Sequence, residues 1–463
     1  MATQPNIIWI SLESFRYDHT SLSGYDRETT PHLARIAADS QATSFTDCIT
    51  HGKWTGTSSA SMLTGTTPPT HGIYGAGGYA LSEEVATLPE LLPEEYTTTS
   101  IVSNPNAGPA KGLDRGFDDV RYVTPSTMRE AVGLRTMLKS VPQLWSHGGG
   151  LTTDIERHKG LSSYMMVDIA KRLLAERDDP TFTFLHFNSS HHSYLPPAVY
   201  RDRFTDGISA SPREALDLAQ SAYEDIHELI ADGLTEAEWE AVTAMYDAVL
   251  AHVDHCVGEL VDAVHDHNEE TIVVITGDHG DLLGEYGLAA HKFAAHDALT
   301  RVPLVVSGLD AIDHQRENVV QHIDIVKTLF AQLGLDPAQL EGIDLTTETR
   351  EYAVTQRSGE NAEKNLRKVR DYDPTYAAPT AHLQTLTAIR STEHKLLYSD
   401  DAVELFELPD ESTDVAAEYP DVFEQMRSYA EEWLASHESR TTGTEQELDE
   451  EIKDHLSDMG YLV

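Results

Sequence analysis

Cysteine is nearly absent from this 463-residue chain, which carries only Cys48 and Cys256. They stand far apart without metal-type spacing, and this excludes a disulfide framework. Basic residues are scarce as well: lysine and arginine total 33 against 77 acidic residues, a formal charge of −44. Such a surface repels nucleic acid and anionic membranes, so neither is expected as a partner. The acid is spread along the chain rather than gathered in a tail. That pattern points to a salt-rich cytosol whose ions screen the self-repulsion, with an acidic protein of ordinary cytosol as the alternative. No apolar run approaches the roughly 20 residues that span a bilayer. Residues 1–5 lack a charged leader and run directly into a strand, so no signal peptide and a cytoplasmic location are expected. Internal repeats are missing too. Hydrophobic residues nevertheless make up 40%, enough to bury a sizeable core.

Apolar runs alternate with amphipathic ones. Residues 6–12, 43–48, 97–103, 181–187, 271–276 and 302–307 read as strands, and residues 30–40, 235–267 and 324–333 as helices. This alternation predicts an α/β fold, a doubly wound, mainly parallel sheet flanked by helices, over residues 1–340. Asp178-Asp179-Pro180 reads as a turn, and residues 120–162, with Gly148-Gly149-Gly150, as an insertion or lid. Residues 341–463 are expected to form a C-terminal subdomain. It opens on a polar stretch, continues as a small antiparallel sheet of residues 384–390, 395–398 and 403–408, and ends in an acidic helix over 421–436 and a polar tail. The acidic helix reads as a solvated face.

Three places offer chemistry. Residues 51–65, HGKWTGTSSASMLTG, are rich in hydroxyls and then turn helical. Thr55 stands just before the helix start, with Gly56 to let the chain turn and Ser58 or Ser59 as a cap. A hydroxyl there faces unpaired N–H groups and the positive end of the helix dipole, which favours an anionic nucleophile and an anionic ester. A capped turn without chemistry is the plain alternative. Glu13 follows the first strand, and Asp278 and His279 follow the strand at 271–276. Open α/β sheets place their ligands at such carboxyl ends. Two hard oxygen donors, one nitrogen and the Thr55 oxygen suit one divalent cation that lowers the pKa of that oxygen.

Further segments recur in order. Pro5-Asn6-Ile7-Ile8-Trp9-Ile10 is followed by Glu13-Ser14-Phe15-Arg16-Tyr17-Asp18-His19, Gly24-Tyr25 and Thr30-Pro31-His32-Leu33. The stretch 58–65 with Pro69-Thr70-His71-Gly72, His186 with His191-His192-Ser193-Tyr194-Leu195-Pro196-Pro197, and Gly277-Asp278-His279-Gly280 come next. Gly284-Glu285-Tyr286-Gly287, His291-Lys292, Arg301-Val302-Pro303-Leu304, Ile323-Asp324-Ile325-Val326, Lys395-Leu396 and Glu404-Leu405-Phe406-Glu407-Leu408 complete the series. Together they resemble the sulfatase family of the alkaline phosphatase-like superfamily, over about residues 5–335 and less sharply beyond.

The resemblance implies an alkaline phosphatase-like fold and metal-dependent hydrolysis of sulfate esters. Glu13, Asp278, His279 and Thr55 would hold one divalent ion, calcium first, with manganese or zinc as alternatives. Thr55 falls at the nucleophile position, Lys292 at a lysine on the anionic ester, His191 at a histidine near the leaving group, and Asn104 at a substrate contact. The implied partner is a small-molecule or glycan sulfate or phosphate ester.

The chain also departs from the family. Sulfatases make their nucleophile by oxidising cysteine or serine in a C/S-x-P-x-R setting, whereas Thr55, Thr57 and Ser59 stand at the matching positions. Oxidised threonine would be a ketone, so the usual formylglycine is unavailable. Glu13 replaces an aspartate and Ser14 a second one, which predicts a single, looser metal site. Threonine nucleophiles occur in phosphodiesterases and phosphotransferases of the superfamily. A phosphodiesterase, phosphonate hydrolase or phospho-group transferase therefore stays open, as does a non-catalytic binding protein on the same fold. Arg16 is expected either to reach the anion or to pair with Asp18 or Glu13, and His71 to belong to the turn 70–72.

Overall fold

The computed structural model describes residues 4–74, 79–124, 127–146, 155–176, 180–267, 270–378, 380–437, 444–445, 448 and 450–458. Its axis is β1 (Asn6–Leu12), every residue of which is buried, as a strand covered on both faces requires. Around it stand β2 (Ala42–Ile49), β3 (Thr97–Val102), β4 (Asp119–Tyr122), β5 (Thr181–Phe187), β6 (Thr271–Gly277), β7 (Arg301–Ser307) and β8 (Val319–Val320). The sheet order is β8-β2-β7-β6-β1-β5-β3-β4. β1 runs parallel to β5 and β6, while β7 runs antiparallel to both β2 and β6. The sheet is therefore mainly parallel, as the alternating pattern predicts.

Alternate residues of β1 serve two cores. Ile8, Ile10 and Leu12 face one, and Ile7 and Trp9 the other. The helices are α1 (Pro31–Ala37), α2 (Thr55–Thr64), α3 (Met128–Ser146), α4 (Ile155–Glu176), α5 (Glu236–Asp266) and α6 (His322–Gln332). Parts of α4 and α5 fill the first core, and α2 and α6 the second. Val123, Ala131, Val132 and Leu161 sit inside that first core, so these parts of the stretch read as an insertion or lid belong to a wall of the domain. Gly148-Gly149-Gly150 and the Asp178-Asp179 turn lie outside the described residues.

The polar stretch after residue 340 hides a strand and a helix, β9 (Ala353–Arg357) and α7 (Gly359–Tyr372). β9 is buried despite its composition, with donors of two of its polar side chains bonded internally. Gln356 Nε2 donates to Thr387 Oγ1 at 3.1 Å, and Arg357 Nη2 to the His382 carbonyl at 2.6 Å. β10 (Leu386–Arg390), β11 (His394–Tyr398) and β12 (Val403–Glu407) complete an antiparallel sheet in the order β9-β10-β11-β12. The acidic helix, α8 (Pro420–Ser436), is solvated on one face only, since Met426 and Ala430 pack on that sheet. An ion network fastens the sheet to the main domain. Arg390 reaches Asp47 at 2.7 Å and Asp297 at 3.0 Å, and Lys395 reaches Asp297 at 2.9 Å and Glu411 at 2.8 Å. The tail also returns to the main domain: Thr444–Glu445 pairs with Tyr79–Ala80, and His455 meets Tyr122.

His71 closes a short helix, Pro68–His71, beneath α2, fully buried. Its Nδ1 accepts from the Ile73 N–H at 3.1 Å, and its Nε2 faces Ser61 Oγ at 3.2 Å. Burial pushes its pKa down to about 3, against roughly 6.5 in the unfolded chain. Between those values the unfolded state binds the extra proton. Stability from this group is therefore complete above about pH 6.5 and is lost as pH falls, by about 3 kcal/mol near pH 4. His71→Asn is expected to flatten the acid limb of Tm against pH, and an unchanged limb would rule His71 out as its source.

Candidate nucleophile and metal site

Five of the expected residues converge at the carboxyl ends of the central strands. Glu13 leaves β1 with its N–H on the Phe187 carbonyl at 3.0 Å. Thr55 is the first residue of α2, preceded by Trp54 as N-cap, so the helix starts at Thr55 rather than after it. The Thr55 hydroxyl donates to Glu13 Oε1 at 3.0 Å, with Oε2 at 3.2 Å, and Ser58 Oγ donates to the Gly52 carbonyl at 3.3 Å instead of capping. Asn104, at the end of β3, donates through Nδ2 to Glu13 Oε2 at 2.8 Å and lies 3.5 Å from Thr55 Oγ1.

Asp278 and His279 leave β6 beside them. Asp278 Oδ1 accepts from the Ser14 N–H at 2.9 Å and from the His279 N–H at 2.7 Å. Ser14 itself sits in the left-handed region at φ 51°, held on its other side by Tyr246, whose hydroxyl donates to the Ser14 carbonyl at 2.8 Å. Gly280 is required here, because a Cβ would lie 2.0 Å from the Ala298 carbonyl oxygen. His279 Nδ1 lies 2.8 Å from the Gly280 carbonyl, which only accepts; the neutral ring therefore carries its lone pair on Nε2. That Nε2 is 3.2 Å from Glu13 Oε1 and 3.6 Å from Asp278 Oδ2.

The donor set fits a divalent cation. Asp278 Oδ2, His279 Nε2 and Ser14 Oγ are buried with no hydrogen-bond partner, which is costly unless something else satisfies them. Burial and Glu13 raise Asp278 to about 6. Against burial, Asp278 and Glu13 carry His279 up to about 10. Burial would raise Glu13 too, but His186 and His279 hold it well below the usual carboxylate range. Glu13 and Asp278 crowd one another here, a like-charge strain of the kind that a cation between hard oxygens and an imidazole relieves.

Lys292 and His191 stand on a second wall, with Trp54 and His291. Lys292 is buried rather than on the surface, its Nζ 5.2 Å from the Trp54 ring centre. Burial lowers its pKa to about 8 although Asp281 opposes this. The Trp54 and His291 rings are 4.5 Å apart and those of His191 and His291 5.9 Å. Lys53 Nζ donates to the His291 carbonyl at 2.8 Å, tying this wall to the turn that bears Thr55. Arg16 is turned to other partners. It pairs with Asp18 at 2.6 Å and Glu285 at 2.7 Å and donates to the Asp281 carbonyl at 3.1 Å.

The sulfatase family profile matches residues 5–335. The chain belongs to the sulfatase family. Among curated sulfatases it is 25% identical over 237 residues to YidJ of Escherichia coli K12, covering 50% of this chain and 46% of that one. It is 31% identical over 202 residues to human arylsulfatase K, covering 41% and 36%. The chain thus spans under half the length of these two relatives. The crystal structure of phosphonate monoester hydrolase from Agrobacterium radiobacter superposes with a TM-score of 0.72 at 21% identity, covering 94% and 96%, which shows a shared fold.

Sequence reasoning gave no ligand role to His186, whose Nε2 lies 2.8 Å from Glu13 Oε2 and which groups with Glu13 and Asp278 as potential ligands. The available signal was a histidine inside an otherwise apolar strand, opposite Ser11 in the ladder. In the sequence His291 stands out only as the neighbour of Lys292, and the fold alone sets its place between Trp54 and His279.

Proposed function

We propose that this sulfatase-family protein is a metal-dependent ester hydrolase in which unmodified Thr55 attacks a sulfate ester. The observation that carries this reading is the Thr55 hydroxyl, the first group of a buried helix, donating to Glu13 at the edge of an unsatisfied donor set. A bound divalent cation, calcium first and manganese or zinc next, would supply positive charge that eases loss of the hydroxyl proton and offsets charge on the transferred group. Glu13, Asp278, His279 and Thr55 would hold it, with His186 behind Glu13.

Thr55 Oγ1 forms the new bond to sulfur as the bond to the leaving oxygen breaks, its hydroxyl proton ending on the released alcohol, and water then cleaves the Thr55 ester, restoring the hydroxyl and releasing hydrogen sulfate. Lys292, charged below about pH 8, stabilises the anionic group. Asn104 Nδ2 fixes Glu13 and faces the nucleophile, and His191 stands on the leaving-group side. A phosphorus ester is the second reading. It is favoured by Thr57 and Ser59 at the positions where the formylglycine motif needs proline and arginine.

The test is turnover of aryl sulfate, aryl phosphate diester and phosphonate esters in high salt, with and without calcium, manganese and zinc. Metal-dependent sulfate turnover supports the first reading, and phosphorus-ester turnover alone the second. Silence on all of them favours a binding protein. No helix among the described residues is long and apolar enough to cross a membrane, and we place the protein in a salt-rich cytosol on the strength of its charge. Cooperative unfolding is expected to disappear on dialysis to low salt, and its retention would refute salt adaptation.

A further inference from the structure

We propose that His191, His192 and His291 form a second divalent-cation site beside the one at Glu13, Asp278 and His279. One ring nitrogen from each of the three lies within 4.8 Å of the others, and all three side chains are buried. Two segments supply them, the loop after β5 and the stretch that carries Lys292. The His279 and His291 ring centres are 4.9 Å apart, so the two sites share a wall.

The surrounding bonds set the rings for ligation. His191 Nδ1 lies 2.7 Å from the His192 carbonyl oxygen, which only accepts; Nδ1 therefore carries the proton and the neutral ring offers its lone pair on Nε2. His291 Nδ1 lies 3.0 Å from Asp281 Oδ1, and Asp281 Oδ2 accepts from the Tyr194 hydroxyl at 2.9 Å. A carboxylate behind an imidazole, itself fixed by a further hydrogen bond, is how proteins orient metal-binding histidines and raise their basicity. Three imidazoles select zinc or cobalt over calcium, which takes oxygen ligands.

A cation on the histidines would take over from His191 the offsetting of charge on the departing oxygen.

The full-length protein, stripped by chelator in high salt, is titrated with cobalt(II) and with calcium, reading ligand-field absorption and bound metal after dialysis. Calcium is expected to fill one equivalent, and cobalt to bind a further equivalent that calcium does not displace. His291→Ala should lose that further equivalent and keep the first, Asp278→Ala should do the reverse, and Asp281→Asn should weaken the further site about 10–100-fold. Should His291→Ala fail to fold by circular dichroism, His192→Gln gives the same readout. A wild-type protein that binds a single equivalent of cobalt overturns the proposal, as does a further equivalent that survives the histidine variants. A single equivalent would mean that the rings serve the anion as donors instead. Because binding is read without turnover, this result is independent of whether Thr55 is the nucleophile.

Discussion

Thr55→Ala is expected to lower turnover of the responsive ester by at least about 10³-fold while the protein stays folded. The substitution removes the only hydroxyl among the described residues that combines three features: a place at the start of α2, a hydrogen bond to Glu13, and Asn104 Nδ2 within 3.5 Å. Residual activity would come from the positive charge of Lys292 and a bound cation acting on direct attack by water. Thr55→Ser keeps the attacking atom and should retain turnover within about 100-fold, since the lost methyl costs packing and positioning rather than chemistry. The measurement is kcat for the three proteins alongside their circular dichroism. Equal kcat in Thr55→Ala and wild type would remove the nucleophile assignment. A non-catalytic binder would instead keep its ligand affinity in Thr55→Ala and show no turnover in any of the three.

Removing Asp278 should erase the stabilisation that a divalent cation gives at this centre. A ligand that binds only the folded state at a hundredfold excess over its Kd adds about 2.7 kcal/mol, visible as a rise in Tm when calcium is added to stripped wild-type protein. Asp278→Ala deletes Oδ2, which has no hydrogen-bond partner, and with it a proposed ligand atom. The same change also deletes the acceptor for the Ser14 and His279 N–H groups, so the metal-free variant should melt earlier than wild type. Asp278→Asn keeps an acceptor for those groups and separates the two effects. A calcium-dependent rise in Asp278→Ala as large as in wild type would show that the cation binds elsewhere.

Much of this centre is written along the chain because the strands that carry it are apolar and stop abruptly. β1 ends in Glu13 and β6 in Asp278-His279, so hydrophobic runs point to the residues that follow them. Thr55 is legible from its glycine-flanked, hydroxyl-rich setting, although the helix begins at Thr55 itself, ahead of Ser58 and Ser59 where capping logic looks for its start. Glu13, from a distant segment, claims the Thr55 hydroxyl. β9 is invisible to periodicity for a related reason: Gln356 and Arg357 are buried through bonds to Thr387 and His382, and nothing local announces those partners. The wall formed by His191, His192 and His291 depends on two loops meeting, which spacing in one sequence does not encode.

The interior lysine at the site has a kinetic consequence. Lys292 is buried against Trp54 in a chain whose exterior carries most of an excess of 44 negative charges. An anionic ester diffusing inward therefore meets a repelling outer field before an attracting inner one. At about 1 M salt the screening length shrinks to roughly 3 Å, which dissolves the outer barrier yet leaves direct contacts with a buried lysine intact. Capture of the substrate should accordingly quicken as ionic strength rises, the reverse of ordinary electrostatic steering, and a salt-loving rate would follow from encounter as much as from the fold.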